Sequence, residues 1–309
     1  MAKVLVTGGA GFIGSHLVHA LVERGDTVGV FDNFSSGNHQ NLKGLDRRIQ
    51  VIEGDLRDRD QVRLAVEGID FVFHQAAFVS VPESIEKPGE CFHVNVQGTV
   101  EVLEAARLEG VKHVVLASSA AVYGDSQAAP LKETLPSLPL SPYAATKSFN
   151  EDLARLYTEV LNLPVTALRY FNVFGPRQSP HSQYAAVIPK FIEAFTKGES
   201  PIVYGDGRQT RDFIFVEDVV TANFMAAENK VAAGRAYNIC SGKETSLLDL
   251  LEALTNLIRN VKAPKFADPR LGDVARSVGD PALAEASLGF KSQTTLGDGL
   301  RRCVEAWPK

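Results

Sequence analysis

Short apolar runs recur along the first 174 residues, interleaved with stretches of helical period. Val4–Thr7, Thr27–Phe31, Ile49–Ile52, Asp70–His74, Val114–Ala117 and Val165–Tyr170 concentrate Val, Ile, Leu and Phe, which predicts strands. Ile13–Arg24, Gln61–Glu67, Phe92–Glu109 and Pro142–Leu161 predict helices, the first stopped by Gly25. The apolar runs lack a clean period of two, so both faces of the sheet must be covered. That implies an α/β chain with a parallel sheet between two layers of helices.

The rhythm breaks near Gly175. Loops rich in Gly, Pro, Ser and Arg (175–183, 198–211, 262–281) separate shorter helices expected over 187–197, 217–228, 246–259 and 296–306. The expected division is a nucleotide domain over 1–174 and a smaller, irregular α/β lobe over 175–309. Phe213–Glu217 and Tyr237–Cys240 are candidates to return to the main sheet.

Composition narrows the class. A net charge of -5 argues against a nucleic-acid surface, and an anionic ligand would need a local cluster of cations. Cys91, Cys240 and Cys303 are odd in number and scattered. They imply no disulfide framework and no metal site, and they suit the cytoplasm. No apolar run approaches a membrane span, and the chain enters its first strand with no secretory leader.

Thr7-Gly8-Gly9-Ala10-Gly11-Phe12-Ile13-Gly14 stands where the first strand passes into the first helix. Its glycines permit a tight turn and a close backbone approach to a pyrophosphate, which then rests on the helix N-terminus. Asp32 ends the second strand, 21 residues beyond Gly11, where a carboxylate takes up a ribose diol and repels a 2′-phosphate. The fold expected is therefore of the Rossmann type, doubly wound, and the cofactor NAD rather than NADP. Asn33, then Asp55 and Leu56 after strand three, extend this into an adenine and ribose channel. Gln75, Ala76 and Ala77 after strand four offer small or polar walls beside the cofactor.

Strand five ends in Ser118-Ser119-Ala120-Ala121-Val122-Tyr123-Gly124, directed into the same crevice. Ser141 is a good helix N-cap and Pro142 suits the first turn. Tyr143 and Lys147, four residues apart, then share one helix face. A phenol with a nearby ammonium is a candidate base.

TGGAGFIG, Asp32, SSAAVYG and Tyr143-x-x-x-Lys147 in this order resemble the extended short-chain dehydrogenases/reductases, and more narrowly the NAD-dependent nucleotide-sugar epimerases and dehydratases. The resemblance spans essentially the whole chain. It implies that Ser119 binds the substrate's 4-oxygen, that Tyr143 exchanges its proton, and that Lys147 holds the nicotinamide ribose and tunes Tyr143. To be largely ionised at pH 7, a tyrosine must drop about 3 units from 10, roughly 4 kcal/mol. An ammonium and a cationic nicotinamide are expected to supply this. Phe12, Ile13, Asn95, Ser118 and Tyr170 complete the implied cofactor set.

The related 4,6-dehydratases carry an Asp-Glu pair where this chain has Ala120 and Ala121. Dehydration then lacks its proton carriers, and 4-epimerisation of a UDP-hexose through a 4-keto sugar becomes the expected reaction. Another sugar-nucleotide reaction, such as uronate epimerisation, stays open as an alternative, as does a non-catalytic NAD sensor. The motifs RYFNVFGPRQ, GDGRQTRDF and DPRLGDV resemble the family's substrate loops. They imply substrate contacts at Asn172, Val187, Tyr204, Gln209, Arg211, Arg270 and Asp273. The run Gln178–Pro189 resembles epimerases of N-acetylated UDP-hexoses. Ser277 leaves space for a 2-acetamido group where non-acetylated epimerases tend to carry tyrosine. The family's habit of pairing helices 92–109 and 142–161 implies a homodimer, with Phe149, Leu153, Leu156 and Val160 as a possible seam.

Overall fold

The computed structural model describes residues 1–45, 47–180, 186–259, 261–269 and 274–308. Fourteen strands run in chain order: β1 (Lys3–Thr7), β2 (Thr27–Asp32), β3 (Ile49–Glu53), β4 (Phe71–His74), β5 (His113–Ser119), β6 (Val165–Tyr170), β7 (Asn172–Phe174), β8 (Ile202–Tyr204), β9 (Thr210–Arg211), β10 (Phe213–Phe215), β11 (Ala236–Ile239), β12 (Thr245–Ser246), β13 (Lys265–Ala267) and β14 (Arg276–Ser277). The helices are α1 (Phe12–Arg24), α2 (Arg59–Val66), α3 (Val81–Glu86), α4 (Pro88–Phe92), α5 (Gly98–Leu108), α6 (Pro142–Glu159), α7 (Val187–Thr196), α8 (Val216–Glu228), α9 (Leu247–Thr255), α10 (Ala282–Leu288) and α11 (Leu296–Glu305).

Seven strands form one sheet in the order β11-β6-β5-β4-β1-β2-β3, and every pairing in it is parallel. The order reverses at β1, which opens a crevice beyond the carboxyl ends of β1 and β4. This is the Rossmann-type, doubly wound α/β architecture expected. One face is covered by α1, α8 and α10, with Leu17, Leu21, Val219 and Ala284 in its core. The other is covered by α2, α5 and α6, through Val62, Leu103, Leu153 and Tyr157. β11 lies far along the chain yet pairs with β6, from Ala236↔Ala167 to Ile239↔Tyr170. Phe213–Phe215 pairs with β7 instead, outside the main sheet.

The remaining strands make two small sheets, β12-β9-β14 and β13-β8. With α7, α9 and α11 they enclose a separate core around Phe191, Phe195, Leu250 and Leu300. The expected helix over 92–109 is one run from Pro88 to Leu108, in which His93–Gln97 form a wider π turn. α6 begins as expected: the Ser141 hydroxyl accepts the Ala144 amide at 3.1 Å, and Pro142 fills the first turn. The apolar stripe on α6 divides. Leu153 is buried in the core, whereas Phe149, Leu156 and Val160 are 48%, 42% and 64% exposed. No described helix is long and apolar enough to cross a membrane.

Candidate active site

The turn from β1 into α1 has no room for side chains. Gly8 sits at φ 68°, and a Cβ there would lie 2.6 Å from the Ala76 nitrogen; one on Gly14 would lie 2.1 Å from the Gly8 carbonyl oxygen. Loop, helix and the end of β4 press together, and the first turn of α1 faces the crevice bare. A pyrophosphate fits this cradle. Asp32 stands beside it, with Oδ2 accepting the Ala10 amide at 2.9 Å and Oδ1 the Phe34 amide at 2.8 Å. Burial raises its pKa, and those two hydrogen bonds oppose the rise.

The cleft above the sheet has a volume of about 1120 Å³, enough for a dinucleotide and part of a second ligand. Gly8, Gly11, Phe12, Ile13, Gly14, Asp32, Asn33, Asp55 and Leu56 line one end. Gln75, Ala76, Ala77, Ser118, Ser119, Tyr143, Lys147 and Tyr170 line the rest. Asp55 does not wait there unengaged. Arg57 binds both of its oxygens, Nε to Oδ1 at 2.8 Å and Nη2 to Oδ2 at 2.6 Å. Those hydrogen bonds hold the carboxyl down at about 2.

At the reactive end, three consecutive residues of β5 meet α6. The Lys147 ammonium donates to the Ala117 carbonyl at 2.8 Å. The Ser118 hydroxyl donates to Glu151 Oε1 at 2.5 Å. The Ser119 hydroxyl faces the Tyr143 phenol closely enough to favour its ionised form. Lys147 Nζ lies 5.8 Å from the centroid of the Tyr143 ring. Burial lowers the Lys147 pKa to about 8, and the Cys91 thiol beside it opposes that drop.

Two expectations need correction. From the protein's own groups the Tyr143 pKa is raised, not lowered: burial disfavours the phenolate more than the Ser119 hydroxyl favours it. Asn95 does not line the cleft. Its Nδ2 donates to the Phe78 carbonyl at 3.1 Å and the Thr146 hydroxyl at 3.0 Å, and its Oδ1 accepts the Phe78 amide at 2.7 Å. It pins the loop after β4 to α6. Ser118 lines the cleft as expected, with its hydroxyl proton donated to Glu151, which leaves only its oxygen's acceptor capacity toward the cleft.

Of the expected substrate residues, Ser119 and Tyr143 line that cleft, whereas Asn172, Val187, Tyr204, Gln209, Arg211 and Ser277 do not. Arg211 and Ser277 are register partners across β9 and β14. The Gln209 amide donates to the Tyr204 carbonyl at 2.6 Å. Asn172 Nδ2 donates to the Asp212 carbonyl at 3.3 Å, pinning β7 to β10. Val187 opens α7. Arg270 and Asp273 lie outside the described residues, as does 181–185 within the Gln178–Pro189 run.

Sequence reasoning missed several side chains. Arg177 lines the cleft at φ 68°, with a buried Nε that has no hydrogen-bond partner among the described residues. The buried Gln178 Oε1 is likewise without a partner among the described residues. Asn223 of α8 hydrogen-bonds both Tyr170 (3.1 Å) and Gln75 (3.2 Å), fixing two wall residues. Under the floor, His74 Nδ1 pairs with the Thr7 hydroxyl at 2.7 Å and Nε2 with Thr99 at 3.0 Å. Burial, with the Lys147 charge adding, brings its pKa down to about 3. Glu151 and Arg169 form a buried bidentate pair, Nε to Oε1 at 2.9 Å and Nη2 to Oε2 at 2.6 Å. Only the Tyr143-x-x-x-Lys147-x-x-x-Glu151 spacing hinted at Glu151.

A family model described as NAD dependent epimerase/dehydratase family matches residues 4–240. A protein of Mycolicibacterium smegmatis named UDP-glucose 4-epimerase is 40% identical over 98% of this chain and 97% of its own length. The solved structure of UDP-N-acetylglucosamine 4-epimerase from Methanobrevibacter ruminantium, in complex with UDP-N-acetylmuramic acid, superposes with a TM-score of 0.95 at 39% identity, covering 99% of this chain and 97% of that one. Thermus thermophilus UDP-glucose 4-epimerase in complex with NAD gives 0.89 at 37% identity, covering 98% of each chain.

Proposed function

This chain belongs to the NAD dependent epimerase/dehydratase family, and on that footing we propose that it interconverts the C4 epimers of a UDP-hexose, UDP-GlcNAc and UDP-Glc being the leading candidates. The observation that carries this reading is the set Ser119, Tyr143 and Lys147 on one wall of a cleft whose other end is a glycine cradle with Asp32. The positions that would hold an elimination acid and base are Ala120 and Ala121. The cradle that a Cβ would fill and the Arg177 Nε, unpartnered among the described residues, fit a dinucleotide. Gly8, Gly11 and Gly14 would hold its pyrophosphate with Arg177, Asp32 its adenosine ribose, and Lys147 its second ribose.

When bound, NAD supplies a reversible hydride acceptor and a positive ring that favours the Tyr143 phenolate. Ser119 holds the sugar O4 by hydrogen bond. Tyr143 takes the O4 proton as C4 becomes a carbonyl, and returns it once the 4-keto sugar has turned over. Lys147, braced on the Ala117 carbonyl, keeps two N–H groups for a ribose hydroxyl. Asn172, Val187, Tyr204, Gln209, Arg211 and Ser277, with Arg270 and Asp273, are assigned to the UDP-sugar in the lobe. On this reading residues 1–174 carry the dinucleotide and the reacting groups and 175–309 most of the UDP-sugar contacts, with α8, α10 and β11 packing back on the main sheet.

The exposed Phe149, Leu156 and Val160 on α6, with Leu108 on α5, support a homodimer through these helices. Three buried free cysteines suit the cytoplasm. The deciding experiment incubates the protein with UDP-Glc, UDP-GlcNAc and UDP-glucuronate without added reductant. C4 epimers of one of the two hexoses, formed without net NADH, support the proposal. A 4-keto-6-deoxy product, or turnover of the uronate alone, refutes it.

A further inference from the structure

Tyr143, Lys147 and Glu151 are spaced by four, so they share one stripe of α6. Each meets a consecutive residue of β5: Tyr143 faces Ser119, while Lys147 donates to the Ala117 carbonyl and Glu151 accepts the Ser118 hydroxyl. Glu151 alone is tied further into the fold. Arg169 of β6 bridges both of its oxygens and donates through Nη1 to the Tyr123 hydroxyl at 2.8 Å. That hydroxyl donates to Asn238 Oδ1 on β11 at 2.7 Å, and Asn238 Nδ2 donates to the Leu131 carbonyl at 2.8 Å. The two charged side chains are 12% and 8% exposed, so solvent cannot replace either partner.

We infer that Glu151 is a positioning residue that sets the register of the α6 stripe on the end of β5, holding the Ser119 hydroxyl against the Tyr143 phenol. Glu151 touches neither the cleft nor the groups proposed to react. It acts by fixing the strand residue next to Ser119 and the helix turn next to Lys147. The inference rests on Tyr143 being the proton carrier.

The test reads the ionisation of Tyr143 itself. Ultraviolet difference titration of each protein against its Tyr143→Phe counterpart isolates that one phenol from the other tyrosines. Two variants are compared with the parent holoenzyme: Ser118→Ala, which removes only the strand link, and Glu151→Gln with Arg169→Met, which removes both buried charges together. In both, the Tyr143 ionisation moves up by about one pH unit as the Ser119 contact loosens. The kcat for C4 epimerisation falls about tenfold at unchanged KM. Ser118→Thr, which keeps the hydroxyl, restores the parent titration. A purely structural role would lower the melting temperature and leave the titration where it was. Should the double variant not fold, Ser118→Ala and Ser118→Thr decide the matter alone. Tyr143 titrating in Ser118→Ala as in the parent overturns the inference. Failure of the parent to epimerise any UDP-hexose would defeat the functional proposal, yet the titration would still decide this one.

Discussion

Lys147 donates to the carbonyl of Ala117 at 2.8 Å, which anchors the tip of a buried ammonium near the carboxyl end of strand β5 instead of on Tyr143. Burial brings that ammonium to about 8, well below an ordinary lysine. If the charged form supports the Tyr143 phenolate, activity falls as pH rises through about 8, and kcat/KM shows a basic limb there. Lys147→Arg retains charge but cannot titrate in this range. Its residual activity is expected to lack that limb, and Lys147→Met to lose about a hundredfold or more in kcat. A pH–rate profile of the parent and both variants checks this. A limb unchanged in Lys147→Arg would assign it to another group.

Gly14 and Gly89 give a matched pair. A Cβ on Gly14 meets the Gly8 carbonyl oxygen at 2.1 Å, a backbone atom that cannot move aside, whereas one on Gly89 meets nothing within 4 Å. Gly14→Ala is expected to destabilise by about 1–3 kcal/mol through overpacking, and to release NAD on purification by prising the cradle open. Gly89→Ala lies within α4 and is expected to be neutral or to stabilise by up to about 1 kcal/mol. Denaturant melts, with cofactor content read by absorbance, compare the two.

The contrast between those glycines marks how far the sequence could be read. Gly8, Gly11, Gly14, Asp32, Ser119, Tyr143 and Lys147 were legible because their chemistry depends on short spacings at strand ends and on one helix face. The long strands were legible too, since each is a continuous apolar run. Glu151 was not: a carboxylate on a helix reads as a solvated face, and its partners Ser118 and Arg169 come from other strands. Asn95 failed for the same reason, because only the fold reveals that Phe78 and Thr146 consume its amide. α10 and the two- and three-residue strands of the lobe are too short for any periodicity to register. Arg177 carries no local signal, since its left-handed backbone is imposed by the loop around it.

His74 makes acid stability a sharp test. Burial holds His74 and His16 at about 3 and His113 at about 4, against about 6.5 in an unfolded chain. Between those values the unfolded state binds more protons, so stability rises with pH across the window. It is fully present above about 6.5 and drains away as pH falls toward 4. Each histidine steepens that loss by up to about 1.4 kcal/mol per pH unit. Near pH 5, His74→Gln, which can still hydrogen-bond Thr7 and Thr99, is expected to flatten the slope by about one proton. Urea melts from pH 5 to 7 measure it, and an unaltered slope would mean that His74 is already protonated in the native protein.

Phe149 and Leu156 face solvent on α6 at 48% and 42% exposure. If a second copy covers them, Phe149→Asp with Leu156→Asp places two charges in the seam, where truncating a hot-spot residue alone costs about 2 kcal/mol or more. Sedimentation equilibrium is expected to show a dimer for the parent and a monomer for the variant, with NAD retained in both. A parent that sediments as a monomer at micromolar concentration removes the dimer proposal.

Arg177 offers a prediction in which stability and binding move in opposite directions. Its guanidinium is part-buried beside α1, its Nε has no hydrogen-bond partner among the described residues, and burial lowers its pKa with only the charge of Glu217 opposing. Such a group costs the free protein stability and is repaid when a phosphate oxygen arrives. Arg177→Gln removes the charge and the outer end of the guanidinium while keeping a polar group near the Nε position and the same backbone strain. The cofactor-free protein is therefore expected to melt at the same temperature or slightly higher. NAD affinity is expected to fall about tenfold to a hundredfold, the range of one charged hydrogen bond. Calorimetric titration of NAD into stripped protein, paired with melts of the same samples, reads both quantities. Equal losses of stability and affinity would make Arg177 a structural residue, and an unchanged affinity would place the pyrophosphate out of its reach.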